Sequence, residues 1–456
     1  MNLFSKPLYN LCWKTHTRKF SDHLSAWKIP TTVKYRRQAS KLCLQDDDNM
    51  ESNIVEPFNM KKAVVLTKFS RLEFEKRRHP EWKEDQLRSN VGNNSIEENL
   101  NDPLIFQLER RGSDYNNLAH HHAVHSRVRD QVVNSLEKFG IETKLVNRFD
   151  YTHDLINWAD AIITTGGDGT FLMAASKITS REKPVIGINT DPASSVGHLC
   201  LPPIYSSDFS QVIEKLRNGQ FQWMYRQRIR VTMEGENALE EPIELHDQQI
   251  KYRENRYDDI EPRDTFDSHP PTEKESKVNV AKRTLPVRAL NEVFVGESLS
   301  SRVSYYEVAV DGRRPVKLKS SGLTVCTGTG STSWSFNINK VTAQCVNSLC
   351  NILKEEAGVS LPVDESAMQR ITDKFNRSLI FRPEEEKMAY TIRDPVVFGT
   401  SFNSNPRGFA NSIDVRSRMF DACLVIDGAL SYKFNDGAKA QFEINSEDAL
   451  KTVSIN

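Results

Sequence analysis

Residues 164–170 read TTGGDGT, and they join the apolar run 159–165 to the helix-like stretch 171–178. Three glycines within four residues allow a tight turn and let a ligand approach the backbone closely. The free N–H groups at the start of the following helix attract phosphate. The segment therefore predicts a strand, a phosphate-binding turn and a helix in succession.

The carboxylate of Asp168 lies inside this glycine turn, where it would repel a bound phosphate. It becomes useful there if it binds Mg²⁺ or accepts a proton, and both roles belong to phosphoryl transfer. A plain strand-to-helix turn capped by an aspartate is the alternative interpretation. The chain contains neither G-x-x-x-x-G-K-[ST] nor a complete G-x-G-x-x-G, which disfavours standard P-loop kinases and the ordinary dinucleotide-binding fold.

Strand-like and helix-like segments alternate between residues 63 and 189. Apolar residues at helical spacing predict a helix over 118–139 that ends at Gly140. Short apolar runs predict strands at 63–67, 141–146, 159–165 and 185–189. This alternation predicts an α/β N-terminal domain with a mostly parallel sheet.

The pattern changes after about residue 203, where one more helix (211–216) is followed by short strand-like runs. These runs predict a β-rich C-terminal domain. The strands are expected at 228–233, 292–295, 305–310, 323–326, 424–426 and 430–434.

Domain boundaries follow from these patterns. We expect the α/β domain at 61–205 and the β-rich domain at 206–430. The highly polar stretch 234–285 is interpreted as an insertion into the second domain. The segment 431–456 is expected to return to the first domain.

The amino terminus has the composition of a mitochondrial presequence. Residues 1–45 contain nine Lys or Arg and one acid, Asp22, with apolar residues interleaved, so a helix there would be amphipathic and basic. The run RKFS at 18–21 predicts cleavage after Phe20 and hence a presequence at 1–20. A disordered basic tail or a nucleic-acid-binding arm is the alternative. Residues 21–60 are interpreted as a disordered linker.

Bulk properties exclude several classes of protein. The formal net charge is zero, which predicts neither a nucleic-acid nor a membrane partner. No apolar run reaches the roughly 18 residues needed to span a bilayer. The seven cysteines form no C-x-x-C pair, which argues against a disulfide framework or a zinc site. The histidines at 120–122 and 125 are interpreted as a solvated or hydrogen-bonded helix face, because consecutive positions point around a helix.

Four segments in a fixed order resemble the NAD kinase family. The glycine turn is shared with diacylglycerol and sphingosine kinases and, more distantly, with phosphofructokinases. Three further segments narrow the resemblance to NAD kinases, and to their mitochondrial branch in animals. These segments are GINTDP followed by GHL within 187–199, ALNEVFV at 289–295 and TGTGSTSWS at 327–335. The resemblance covers residue 62 to the carboxyl end and is weakest across 234–285.

This resemblance implies a mitochondrial matrix enzyme that moves phosphate from ATP, or from polyphosphate, to the 2′-hydroxyl of the adenosine ribose of NAD. Asp168 would accept the hydroxyl proton or orient the hydroxyl through Mg²⁺. The phosphate-binding residues would be Gly166, Gly167, Gly169 and Thr170. The NAD-binding residues would be Asn189, Thr190, Asp191, Asn291, Glu292, Thr329, Ser331, Thr332, Ser333 and Trp334. The resemblance also implies a homodimer.

The loop at 327–335 departs from the common family pattern P-T-G-S-T-A-Y. Gly328 stands at the proline position, and Ser333 and Trp334 replace the alanine and the tyrosine. Two other functions stay open from the residues alone. One is a lipid kinase with the same phosphate loop, and the other is a catalytically silent NAD(P)-binding protein.

Overall fold

The computed structural model describes residues 55–78, 112–251, 281–359, 364–396 and 405–455. The expected presequence, the greater part of the expected linker and residues 252–280 of the polar insertion lie outside these ranges. Among the described residues, no helix combines the length and the apolar character that crossing a membrane requires.

The described residues form the following strands and helices. The strands are β1 (Lys62–Thr67), β2 (Glu142–Val146), β3 (Ala161–Gly166), β4 (Val185–Asn189), β5 (Gln222–Arg226), β6 (Ile229–Gly235), β7 (Ile243–Glu244), β8 (Ala281–Ala289), β9 (Glu292–Glu297), β10 (Ser304–Val310), β11 (Val316–Ser320), β12 (Leu323–Cys326), β13 (Met388–Ile392), β14 (Arg407–Ala410), β15 (Ser412–Ser417), β16 (Ala422–Ile426), β17 (Leu430–Lys433), β18 (Lys439–Ile444) and β19 (Leu450–Ser454). The helices are α1 (Arg71–Arg78), α2 (Tyr115–Lys138), α3 (His153–Trp158), α4 (Asp168–Ser176), α5 (Ile204–Ser207), α6 (Ser210–Arg217), α7 (Leu245–Lys251), α8 (Trp334–Asn339), α9 (Ala343–Ala357) and α10 (Glu365–Arg377).

The first sheet has the strand order β2-β1-β3-β4-β19-β5. Strands β2, β1, β3, β4 and β19 run parallel, and only β5 is antiparallel to its neighbour. Apolar side chains of α2 and α6 pack on one face of the sheet, and those of α4 pack on the other. The expected α/β N-terminal fold with a mostly parallel sheet is confirmed.

The second unit consists of two antiparallel sheets that enclose one core. Their strand orders are β11-β10-β15-β18-β6-β8 and β14-β13-β12-β9-β16-β17-β7. Alternate residues of β6 are buried, and they meet inward side chains of β9, β12 and β16 in a single apolar cluster. The expected β-rich C-terminal character is likewise confirmed.

The path of the chain between the two units differs from the boundaries expected at 205 and 431. The apolar face of α6 is buried in the first core, and β5 belongs to the first sheet, so this unit extends to residue 226. At the other end, β17 and β18 lie in the second unit and only β19 returns to the first. Strand-like runs predict strands but not the sheet that each strand joins.

The segment 55–60 packs against the first core, although we expected a disordered linker up to residue 60. The Phe58 N–H donates to the Leu216 carbonyl over 2.9 Å, and the ring of Phe58 meets Trp223 edge-on. Met60 is buried beside them. Because the residues around Phe58 and Met60 are polar, the sequence did not reveal that these two apolar side chains anchor the segment.

A cluster of charges joins the last turn before β19 to the second unit. Asp448 accepts hydrogen bonds from Arg230 Nε over 2.6 Å and from Arg288 Nε over 2.8 Å. The fully buried Arg228 donates to the Asp448 carbonyl and, through Nη1, to the carbonyls of Ala175 and Ile178. A cation at the carboxyl end of a helix is electrostatically favourable, so Arg228 fixes the end of α4 to the second unit.

We expect Asp448→Ala to lower the free energy of unfolding by about 3 kcal/mol, because it leaves the partly buried guanidinium group of Arg288 without its carboxylate partner and removes the buried one of the two partners of Arg230. Chemical denaturation with urea would measure the loss. Glu447→Ala is the matched control, since Glu447 pairs with the same Arg230 but its side chain is 71% exposed, against 6% for Asp448. The control is expected to lose less than about 1 kcal/mol. Equal losses in the two variants would contradict this role of Asp448.

Candidate active site

The glycine turn lies at the carboxyl end of β3, and α4 begins directly after it. Gly167 is the N-cap of α4 and supplies no side-chain cap, which leaves the helix start open to an external acceptor. A Cβ at position 166 would lie 2.3 Å from Thr170 Oγ1, so this position admits only glycine. A Cβ at position 169 would meet no atom within 4 Å, and that side of the turn therefore faces open space.

Asp168 is half-buried, and both of its carboxylate oxygens are held by backbone N–H groups. Oδ2 accepts from His198 N over 3.0 Å, and Oδ1 accepts from Leu199 N over 2.8 Å. The segment that supplies these donors turns at Gly197, which has a φ of +63° and packs closely against Asn189. Two of the sequence motifs, the glycine turn and GHL, are thus joined through Asp168.

The three residues at the end of β4 that were expected to bind NAD, Asn189, Thr190 and Asp191, make internal contacts. Asn189 Nδ2 donates to the Ser195 carbonyl over 2.9 Å, and Asn189 Oδ1 accepts from Asp191 N over 3.0 Å. Thr190 is fully buried. Burial alone would raise the pKa of Asp191, but hydrogen bonds from Ser194 and His121 lower it. The first two side chains therefore shape the loop.

The histidines of α2 contact the edge of the sheet that carries the glycine turn. His125 is buried, and its ring nitrogens lie 3.0 Å from Thr67 Oγ1 and 3.0 Å from Thr190 Oγ1. Burial lowers the pKa of His125 to about 3, so its imidazole is neutral. His122 hydrogen-bonds to Ser70. His125 thereby links β1, on one side of β3, to the loop after β4, on the other side of β3.

Asn291 and Glu292 lie at the start of β9, where a buried carboxylate holds their backbone. Asp427, in the turn between β16 and β17, accepts from the N–H groups of Leu290, Asn291 and Glu292 over 2.8–3.0 Å. Burial raises the pKa of Asp427 to about 6 against the effect of these hydrogen bonds. Asp427 has the unusual φ of +49°, and the next residue of the turn is Gly428.

Glu292 is buried without a full set of hydrogen bonds. In the described part of the chain, its Oε2 has no hydrogen-bond partner. Burial, together with the charge of Asp427, raises the pKa of Glu292 to about 8. A buried carboxyl oxygen that lacks a donor is suited to a ligand hydroxyl or amine.

The loop 327–335 packs against the Asn291 backbone. A Cβ at Gly330 would lie 2.1 Å from the Asn291 carbonyl oxygen, and one at Gly328 would lie 2.0 Å from the Arg382 carbonyl oxygen. Both positions therefore require glycine, which gives a physical reason for the residue that stands at the family's proline position. The Asn291 carbonyl also accepts from Thr327 N over 3.0 Å.

The side chains of this loop differ in what they offer a ligand. The Ser331 hydroxyl donates to the Gly328 carbonyl over 2.6 Å, and Thr332 Oγ1 donates to the Thr329 carbonyl over 3.2 Å. Ser333 Oγ lies 3.5 Å from Asn291 Nδ2. The ring of Trp334 is 38% exposed at the start of α8. Ser333 therefore faces Asn291, the Trp334 ring packs against Phe294 of β9, and Ser331 supports the loop.

A basic residue of β5 connects the two groups of predicted site residues. Arg226 Nη1 donates to Thr329 Oγ1 over 3.4 Å. Burial and then the charge of Asp168 raise the pKa of the Cys200 thiol, while the charge of Arg226 opposes them. Cys200 itself contacts the Gly166 carbonyl. The charges of Asp168 and Arg226 thus act on the same thiol, and Arg226 in addition contacts the glycine loop of the second unit.

Comparison with known proteins agrees with this arrangement. Residues 112–221 match the model of the ATP-NAD kinase N-terminal domain. The chain is 43% identical to NAD kinase 2, mitochondrial, of Rattus norvegicus, over 87% of this chain and 88% of the relative. The corresponding Homo sapiens protein is 43% identical over 87% and 85%, and that of Xenopus tropicalis is 42% identical over 89% and 93%. The chain belongs to the NAD kinase family.

The sequence patterns did not place Lys68, His125 and Arg226 at the candidate site. Lys68 follows β1, His125 lies on the face of α2 that contacts the first sheet, and Arg226 ends β5. Of these three residues, only Lys68 could have been found from the sequence, because it directly follows a predicted strand whose carboxyl end lies at the ligand-binding edge of a parallel sheet. Arg226 had none, since no pattern in the sequence placed β5 beside β19.

We expect the stability of the enzyme to fall as the pH rises, because the folded state holds the Glu292 proton more tightly than the unfolded chain does. The folded state keeps the Glu292 proton up to about pH 8, whereas the unfolded chain loses it near the ordinary value of 4.5, so stability falls between these values. Glu292→Gln should therefore make the fall in Tm between about pH 5.5 and about pH 8 smaller by at least about 2 °C. Differential scanning calorimetry measures it.

Glu297→Gln serves as the control for this measurement. Glu297 is a buried glutamate at the other end of β9, and its replacement leaves Glu292 in place. This variant should keep the decline of the unchanged protein. An undiminished decline in Glu292→Gln would show that the Glu292 carboxyl is already ionised in the folded state.

Proposed function

We propose that this chain transfers the γ-phosphate of ATP to the 2′-hydroxyl of the adenosine ribose of NAD and so forms NADP. The close relatives named mitochondrial NAD kinase 2 support both the reaction and a mitochondrial location. The single structural observation that carries the proposal is the oriented carboxylate of Asp168 at an open helix start. Its charge acts on Cys200 together with that of Arg226, which contacts the second unit's glycine loop.

Asp168 acts as the general base in this reaction. The N–H groups of His198 and Leu199 fix the carboxylate plane while leaving each oxygen a further acceptor position. Asp168 takes the proton of the 2′-hydroxyl as the hydroxyl oxygen attacks the γ-phosphorus. The bond from that phosphorus to the β,γ-bridging oxygen breaks, and ADP departs with the electron pair. The open N–H groups of α4 stabilise the phosphate charge.

Mg²⁺ is expected to accompany ATP. This ion keeps several waters and is bound by one or two carboxylates together with substrate phosphates. Within the described ranges, no set of three or more His, Cys, Asp or Glu is arranged to hold a metal ion. A single carboxylate beside bound phosphates fits that chemistry, and Asp168 is the protein ligand we assign. The ion would neutralise charge on the phosphates.

The NAD side of the site lies around Asn291 and Glu292. The unpartnered Oε2 of Glu292 can accept a hydrogen bond from a ribose hydroxyl or an adenine amine. Ser333 and Trp334 border the same space. Thr329 and Thr332 belong to the glycine loop whose backbone would approach the dinucleotide. Among the residues after β4, Asp191 is the one whose carboxylate reaches another element, at His121.

Asp168→Asn is expected to lower kcat for NADP formation by about 10²–10⁴-fold, since an amide cannot accept the hydroxyl proton. A coupled NADP assay with ATP would measure the loss, and the Kd of NAD should change by less than about threefold. The matched control is Asp114→Asn, which makes the same exchange at the start of α2, where Asp114 caps Asn117 N. Turnover of Asp168→Asn within about threefold of the unchanged protein would remove Asp168 from the chemistry.

The same assay separates the rival functions. Diacylglycerol in place of NAD tests a lipid kinase, and polyphosphate in place of ATP tests the alternative donor. NAD binding without any product would favour the catalytically silent protein.

We also propose a homodimer, because α9 and α10 present apolar side chains to solvent. Leu349 is 60% exposed, and Ile352, Leu353 and Ile371 are exposed beside it. Contiguous apolar surface of this kind marks an interface. Leu349→Glu should convert the dimer to a monomer in sedimentation experiments, whereas Ser348→Glu, which adds the same charge to α9, should not. A chain that sediments as a monomer without any substitution would refute the dimer.

A further inference from the structure

Lys68 places its side chain against the glycine turn. Its N–H donates to the Thr165 carbonyl over 2.9 Å, one residue before the first glycine of the turn. A Cβ on Gly166 would lie 3.0 Å from the Lys68 Cβ. Only the absence of a side chain at position 166 lets the lysine approach this closely. The Cβ of Lys68 therefore lies beside the backbone that would bind phosphate.

The ammonium of Lys68 is partly buried without a close counter-ion. Burial lowers the pKa of Lys68, and the charges of Asp191 and Glu73 offset only part of this effect. Both acids are bound elsewhere, since Asp191 Oδ2 accepts from His121 over 2.7 Å and Glu73 Oε2 accepts from Ser70 N over 2.7 Å. Among the residues that the structure describes, none forms an ion pair or a side-chain hydrogen bond with Lys68. A half-desolvated cation of this kind is suited to an incoming anion.

The position of Lys68 in the sheet indicates which anion it meets. In the order β1-β3-β4-β19-β5, Lys68 follows β1 directly beside the β3 turn, whereas Arg226 ends β5 three strands away from β3, opposite Leu450 of β19. Arg226 contacts the second unit's loop, where the NAD residues lie. The groups described around Lys68 are Thr165, Gly166, Asp191 and Glu73, all of the first unit, whereas Asn291, Glu292 and the loop 327–335 belong to the second; the side of Lys68 is therefore left for the other substrate.

We propose that Lys68 binds the terminal phosphates of the donor nucleotide and neutralises the charge that develops on the transferred group. This assignment rests on the proposed NAD kinase reaction and names the side chain that holds its donor. A point-charge ammonium suits phosphate oxygens whose positions shift during transfer. The alternative is a structural lysine that only balances Asp191 and Glu73.

The test compares Lys68→Met with the unchanged chain in two measurements. Binding of Mg-ATP, measured by titration calorimetry, should weaken by at least about tenfold, because a charge-assisted contact to phosphate is lost. In the coupled assay, kcat/KM for ATP should fall by about 10²–10³-fold while the Kd of NAD stays within about twofold. Lys68→Arg, which keeps the charge, should recover part of the ATP affinity.

Lys177→Met is the matched control, since Lys177 is a partly buried lysine at the far end of α4 that donates to the Tyr151 carbonyl. It should bind ATP as the unchanged protein does. Equal ATP affinity in Lys68→Met and the unchanged chain, or a change in NAD affinity instead, would overturn the assignment. Because ATP binding is measured without turnover, a protein that binds ATP through Lys68 but forms no NADP would refute only the proposed reaction.

Discussion

Two backbone N–H groups, those of His198 and Leu199, hold the carboxylate of Asp168, and the rest of the site depends on this contact. It fixes the only acid of the glycine turn at the start of α4 and ties that turn to the loop after β4. The same helix is fixed at its other end by Arg228, which the second unit contributes. The carboxylate of Asp168 is therefore positioned by both units, although it belongs to one.

Much of this arrangement could be predicted from short motifs, and the reasons are local. Glycines at 166 and 330 are needed because a side chain would overlap neighbouring atoms of the same or an adjacent motif. The alternation of apolar runs likewise predicted the parallel sheet, since each run had to be buried on both faces. The order of the motifs indicated the family, which the close relatives then confirmed.

What escaped prediction depends on contacts between distant segments. Asp427 orients Asn291 and Glu292 from a turn more than a hundred residues later, and no local pattern announces that role. The histidines of α2 are a milder case. Their spacing predicted a solvated or hydrogen-bonded helix face, but it could not show that His125 joins Thr67 to Thr190 across β3. Such residues become visible only once the strand order is known.

The strand order of the first sheet also has a consequence for biosynthesis. Strand β19, from residues 450–454, separates β4 from β5, so an interior place in the sheet stays vacant until all the residues between β5 and β19, and with them the β-rich unit, have been synthesised. The exposed edges of β4 and β5 are open to wrong pairing during that interval. The first sheet consequently cannot be completed before the second unit has been made, although most of its strands are synthesised earlier.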